Sequence, residues 1–127
     1  MSINECIIIL AEFDGWVKST TKEDIWERWY LDRWVTNEAG LRQLKNKYLS
    51  FDSLIPIWKK LLIGKRDTFN VVKLGWFEGK PTCDVFSNQG SNWNGLSMGS
   101  GRYLGNTEQE AAVIATAKAV LKEDNND

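Results

Sequence analysis

Histidine is absent from the 127 residues, and cysteine, proline and methionine occur only twice each. Without histidine, Ser-His-Asp and Cys-His nucleophile pairs cannot be assembled, nor can His-ligated zinc or an imidazole general base. Two thiols, Cys6 and Cys83, are too few for a tetrahedral thiolate site and do not make the framework of a disulfide-stapled secreted domain, so a reducing, cytoplasmic setting is expected. An excess of either charge is also missing: 16 Lys and Arg face 17 Asp and Glu, a net charge of −1. That balance argues against nucleic acid as a partner, because nonspecific affinity for phosphates arises from clustered Lys and Arg that release counterions. No apolar run approaches the ~20 residues that span a bilayer, and the N-terminus lacks a basic region and a small-residue cleavage site. A membrane partner and a signal peptide are therefore not expected. No cofactor or metal is called for.

What is present is the composition of one compact folded domain, with 43% apolar and 26% charged residues. A chain of this length hides roughly two thirds of its unfolded surface, so it needs neither disulfide nor metal to fold. A single α+β domain over residues 1–122 is expected, followed by an acidic disordered tail over 123–127.

Ser2 and Glu5 have the spacing of a capping box, and Ile3, Cys6, Ile7, Leu10 and Phe13 form one helical stripe ending near Gly15. The β-branched run Ile7-Ile8-Ile9 also admits a buried strand, against which stand Glu5 and Glu12, which would then need partners inside a sheet. Residues 25–34, Ile-Trp-Glu-Arg-Trp-Tyr-Leu-Asp-Arg-Trp, fit two periods. As a strand, continued to Val35, they place Ile25, Trp29, Leu31 and Val35 on one face and Trp26, Arg28, Tyr30 and Trp34 on the other. As a helix they make an aromatic stripe, and the density of Trp and Tyr tilts the reading to strand. Asn37 to Gly40 reads as a turn and Leu41 to Leu49 as a short helix.

Leu54, Ile55, Ile57, Trp58, Leu61 and Leu62 repeat at helical spacing. Pro56 places that helix's start at Asp52 or Ser53, and Gly64 its end. Thr68 to Phe77 and Thr82 to Phe86 read as a β-hairpin joined through Glu78-Gly79-Lys80-Pro81. Residues 87–105 hold five of the ten glycines and show no period, so a long loop is expected. Thr107 and Glu110 then cap a helix with Val113, Ile114, Ala117, Val120 and Leu121 on its core face. Ala111, Ala112, Ala115 and Ala119 on the other side allow a second helix to approach closely.

Three stretches in order carry a resemblance: Ala11-Glu12-Phe13-Asp14-Gly15-Trp16, Tyr48-Leu49-Ser50-Phe51-Asp52-Ser53-Leu54-Ile55-Pro56, and residues 110–119 from Glu110 to Ala119. Read together they resemble the phage ABA sandwich domain, a family of small proteins of bacteriophages and prophages. The resemblance implies an antiparallel β-sheet covered by helices, an α/β/α sandwich, and implies no substrate, cofactor or catalytic residue.

Two places in the sequence suit a ligand. In the 87–105 loop, Asn88, Gln89, Asn92 and Asn94 supply amides, Trp93 a stacking plane, and Arg102 a forked cation beside Tyr103, all leading into the N-terminus of the Thr107 helix, where free N–H groups favour anions. Gly99-Ser100-Gly101-Arg102-Tyr103-Leu104-Gly105 is neither a dinucleotide fingerprint nor a P-loop, and the bland reading of the whole loop is a solvated linker. The second place is Trp26, Arg28, Trp29, Tyr30, Arg33 and Trp34. Glu23, Asp24, Glu27 and Asp32 cancel its positive potential, so a core face or a subunit contact is the simpler reading. Glu108, Glu110 and Asp84 form no recognisable acid–base pair. The expectation is a non-enzymatic phage-type binding module in the host cytoplasm. It either sequesters a small anionic, nucleotide-like ligand, often at a homo-oligomer interface, or contacts a virion component or host protein.

Overall fold

The computed structural model of the chain describes residues 2–30, 35–62, 68–89, 96–99 and 107–124. Helix α1 spans Ile3–Phe13, and the Ser2 hydroxyl accepts the Glu5 backbone N–H at 3.2 Å, as the capping pattern requires. Cys6, Ile7, Leu10 and Ala11 are buried while Glu5 and Glu12 reach solvent. Solvation of both carboxylates is why the isoleucine run is helical rather than a buried strand. The chain leaves α1 through Asp14 and Gly15, whose φ of +106° suits a residue without a Cβ.

Strands β1 (Val17–Lys18), β2 (Ile25–Tyr30) and β3 (Val35–Gly40) form the first antiparallel sheet in that order. The 25–30 segment is thus a strand, as its aromatic content suggests. Asn37 to Gly40, expected as a turn, is instead the last four residues of β3, paired from Asn37↔Arg28 to Gly40↔Ile25. Residues with poor strand propensity are held there by the ladder and by Ala39, which is buried directly opposite buried Trp26.

Helix α2 (Leu41–Tyr48) follows, with the Gln43 side chain accepting the Gly40 N–H at 2.9 Å. Helix α3 spans Phe51–Leu62, so Pro56 is its sixth residue rather than a first-turn residue. The helix loses one backbone hydrogen bond there, on its exposed side, and still buries Leu54, Ile57 and Leu61. Gly64, its expected end, lies outside the described residues.

Strands β4 (Thr68–Phe77), β5 (Lys80–Gln89) and β6 (Leu96–Gly99) make a second antiparallel sheet. The hairpin turn is two residues, Glu78 and Gly79, both at positive φ (50° and 79°). That is the hand a tight hairpin needs, and Lys80 and Pro81 therefore join the ladder. The stretch expected as one loop is partly sheet: β5 continues to Gln89, and β6 pairs with it across a register shift at Val85/Phe86.

Helix α4 (Glu108–Asp124) starts at Thr107, whose hydroxyl accepts the Glu110 N–H at 3.2 Å. It runs two residues into the stretch expected to fray; residues 125–127 lie outside the described residues. One side packs on α1 and another on β5 and β6. Ala111, Ala112, Val113, Ala115, Ala117, Ala119 and Val120 are all buried as a result, whereas Leu121, expected in the core, is partly exposed. The alanines explain this all-round burial, because small side chains let two layers close on one helix. Thr116 is the polar residue at its centre. Its hydroxyl donates to the Ala112 carbonyl at 2.6 Å and accepts the Trp58 indole N–H at 2.8 Å, tying α3 to α4 with no unmet bond. The chain is an α+β domain of helices and antiparallel sheets, with the strands divided between two sheets rather than gathered in one.

Candidate interaction surface

A polar seam fixes the first sheet to the helices. Tyr48, at the end of α2, is fully buried, and its hydroxyl donates to Asp14 Oδ2 at 2.5 Å. Arg28, on β2, reaches the same oxygen at 3.3 Å. Burial, and then the hydrogen bond to the Asp14 carboxylate, push the Tyr48 phenol well above its ordinary value and keep it a neutral donor. The Trp16 indole N–H lies close enough to favour the ionised phenol but closes no hydrogen bond, and Trp26 Nε1 is likewise buried without a partner among the described residues. Lys47 lies 5.5 Å from the centre of the Trp16 ring, and Lys18 lies 5.9 Å from that of Trp26. No substrate can reach a phenol with no exposed surface, so this cluster is a structural pin joining α1, β2 and α2.

Pinned in this way, the sheet turns its other face outward. Along β2 the side chains alternate, and the register places Val17, Glu27 and Glu38 in one row across the three strands, with Trp29 opposite Thr36 in the next. Val17 is 63% exposed and Trp29 61%. Glu27 and Glu38 are directly opposite each other, an unfavourable like-charge pair, and Lys22 bridges to Glu38 at 2.7 Å. That contact, with Glu27 nearby, raises the Lys22 ammonium above its ordinary value. On the inward side Tyr30 is partly exposed, its hydroxyl accepting the Asn37 amide at 3.3 Å, which marks where this end of the sheet extends past the core. Of the aromatic run, expected as a core face or a subunit contact, the strand buries Trp26 in the core and leaves Trp29 and Tyr30 exposed. Arg33 and Trp34 lie outside the described residues.

The second sheet exposes Leu74 and Trp76 (67%) on one face of β4 near the hairpin turn. Two open clefts accompany these surfaces. One, of about 380 Å³, lies between α1 and α4 and is lined by Ile9, Glu12, Phe13, Val120 and Leu121. The other, of about 550 Å³, follows the β1–β2 loop from Lys18 to Asp24. In that loop the Ser19 hydroxyl already accepts the N–H groups of Thr21 and Lys22, so its polar groups serve the turn itself.

Asn92, Trp93, Asn94, Arg102 and Tyr103, the residues expected to hold an anionic ligand, all lie outside the described residues; the helix expected to follow them is described from its Thr107 cap onward. Cys6 is a buried core residue whose thiol is pushed up by desolvation, the reverse of a reactive thiolate, and Cys83 is buried as well. Glu108 and Glu110 are half-buried at the start of α4, where Glu110 serves the cap through its backbone. Among the described residues no cluster of His, Cys, Asp and Glu is placed to hold a metal, and no helix is long and apolar enough to cross a membrane. Sequence reasoning did not single out Val17, Leu74 or Trp76 as surface; only the pairing register reveals which face each occupies.

Comparison with protein-family models, with curated proteins and with solved structures yields no match to this chain. The resemblance to the phage ABA sandwich accordingly rests on the three sequence stretches that carry it.

Proposed function

We propose that this chain is a non-enzymatic binding module of the small phage or prophage type, working in the host cytoplasm through contact with another protein. The observation that carries this reading is the solvent exposure of Trp29 and Trp76 on two different sheets, since exposed indoles are costly to keep and are the side chains that most often anchor interfaces. Tagged full-length protein is expected to retain one stoichiometric partner, from the host or the virion, and to lose it in Trp29→Ala or Trp76→Ala. Retention of the partner by both variants, or its loss in Trp93→Ala and Arg102→Ala instead, overturns this reading.

A second reading is a stoichiometric sponge for a small anionic, nucleotide-like ligand, acting as a homo-oligomer. Its support is the sequence of residues 87–105, with Asn92, Trp93, Asn94, Arg102 and Tyr103 preceding a capped helix N-terminus. Native mass spectrometry of the protein incubated with nucleotides tests it: a bound nucleotide lost in Arg102→Ala supports the sponge, and no adduct removes it.

A further inference from the structure

We infer that the outward face of the first sheet is a docking site for an arginine-bearing segment of a partner polypeptide, held by stacking on Trp29 and by the carboxylates of Glu27 and Glu38. The inference rests on the protein-contact reading above and specifies the partner's chemistry. Its geometric basis is the register: Glu27 lies opposite Glu38, Trp29 is two residues along β2 from Glu27, and Glu38 is the diagonal neighbour of Trp29. Such positions are about 5 Å apart when directly opposite and about 7 Å apart along the strand or across the diagonal, so one side chain laid on the indole reaches either carboxylate.

Charge selects the occupant. Among the described residues the ammonium bridged to this pair is that of Lys22, which is committed to Glu38 at 2.7 Å. The row is thus acidic in net terms and lies beside an indole 61% exposed. An acidic segment or a phosphate backbone is repelled, and an apolar segment would bury Glu27 against its surface without compensation. A guanidinium satisfies both features at once: its plane stacks on the indole face, and its edge donates two parallel hydrogen bonds to a carboxylate. A lysine offers only a point charge, so arginine is preferred. Like charges directly opposite on a sheet oppose its stability, and a cationic partner would relieve the Glu27–Glu38 pair.

Calorimetric titration of the full chain with a tetra-arginine peptide, at low and at physiological ionic strength, tests the proposal, with tetralysine and tetraglutamate peptides as comparators. Tetra-arginine is expected to bind more tightly than tetralysine, and tetraglutamate not at all. Trp29→Ala is expected to weaken tetra-arginine about tenfold, equivalent to about 1.4 kcal/mol. Glu27→Gln is expected to weaken it about threefold to tenfold, the range of a lost exposed-to-half-buried charge contact. Asn46→Ala, on the exposed side of α2, leaves the affinity unchanged. Glu27→Gln also raises the melting temperature, because it relieves the pair, and a merely structural glutamate would lower it. Wild-type affinity in both Trp29→Ala and Glu27→Gln, or equal binding of tetraglutamate, overturns the site. Concentration-dependent dimerisation abolished by Trp29→Ala assigns the face to a second copy and also overturns it. A stoichiometric partner lost in Trp76→Ala but kept in Trp29→Ala leaves the protein-contact reading standing and sinks this one. Tetra-arginine binding that depends on Trp29, in a protein that retains no partner, supports this site while removing the broader reading.

Discussion

The two faces of the first sheet are built from the same strands and differ in almost every physical respect. Trp26 and Ala39 are buried opposite one another on the inner face, and the neighbouring Arg28 is drawn into the Asp14–Tyr48 seam. One residue out of phase, Val17, Glu27, Trp29 and Glu38 face solvent, with a like-charge pair and an indole that nothing covers. The inner face meets the requirements of folding: apolar area is removed from water and the buried phenol has its acceptor. The outer face meets none of them, and residues that oppose stability are the ones whose presence calls for a reason outside the fold.

The contrast predicts a hierarchy of effects, the largest on the inner face. Trp26→Ala removes a buried indole and is expected to cost about 3–5 kcal/mol, measured by chemical denaturation. Trp26→Phe should cost less than that, because the indole N–H it deletes is buried without a partner. A loss under about 1 kcal/mol for Trp26→Ala would erase the distinction between the two faces.

Tyr48→Phe comes next, at about 1.5–3 kcal/mol, the range for a hydrogen bond to a charged acceptor. It also carries a pH signature. The phenol binds its proton more tightly in the folded chain than in the unfolded one, where it titrates near 10.0. Its stabilisation is therefore complete below about pH 10 and declines above it, by up to about 1.4 kcal/mol per pH unit. Denaturation of wild type and Tyr48→Phe across that window should show the difference between them shrinking as pH rises; a constant difference would mean that the phenol is not held neutral by its surroundings.

The part of this fold legible in the sequence is the part set by period and capping. Helix α1 could be read from its stripe and Ser2, α4 from Thr107 and its alanines, and the β4–β5 hairpin from Gly79. Asn37 to Gly40 were misread because Asn, Glu, Ala and Gly carry turn chemistry, and only pairing with β2 overrides it. The strand content of 87–105 is hard to read because β6 is only four residues long, the shortest run in which alternation gives a signal, and lies in a glycine-rich stretch. For the candidate surface, alternation assigned Trp26 and Trp29 to opposite faces but could not say which face the helices would cover. The covered face shows only in contacts distant in sequence, such as that between Asp14 and Arg28, fourteen residues apart. The division of the strands into two sheets was equally out of reach, since no local pattern encodes it.

On the outer face the expected effects on stability are small, and their smallness is informative. Trp29→Ala should leave the unfolding free energy within about 0.5 kcal/mol of wild type, because the indole buries little against its own chain. A larger loss would make Trp29 a structural residue and return it to the inner face's class.

The smallest effect is electrostatic, and salt exposes it. Lys22→Gln removes the ammonium bonded to Glu38 and leaves two opposed carboxylates unscreened, so the melting temperature should fall slightly at low ionic strength. At about 1 M salt the Debye length contracts to about 3 Å, and the difference should vanish because every charge involved is accessible to solvent. Combining Lys22→Gln with Glu27→Gln should cancel most of the low-salt loss, since the repulsion needs both carboxylates charged. A deficit that persists unchanged in high salt would mean that Lys22 acts by packing in the β1–β2 loop. The opposed glutamates would then be no burden on the fold, and the outer face would lose its claim to have been shaped by a cationic partner.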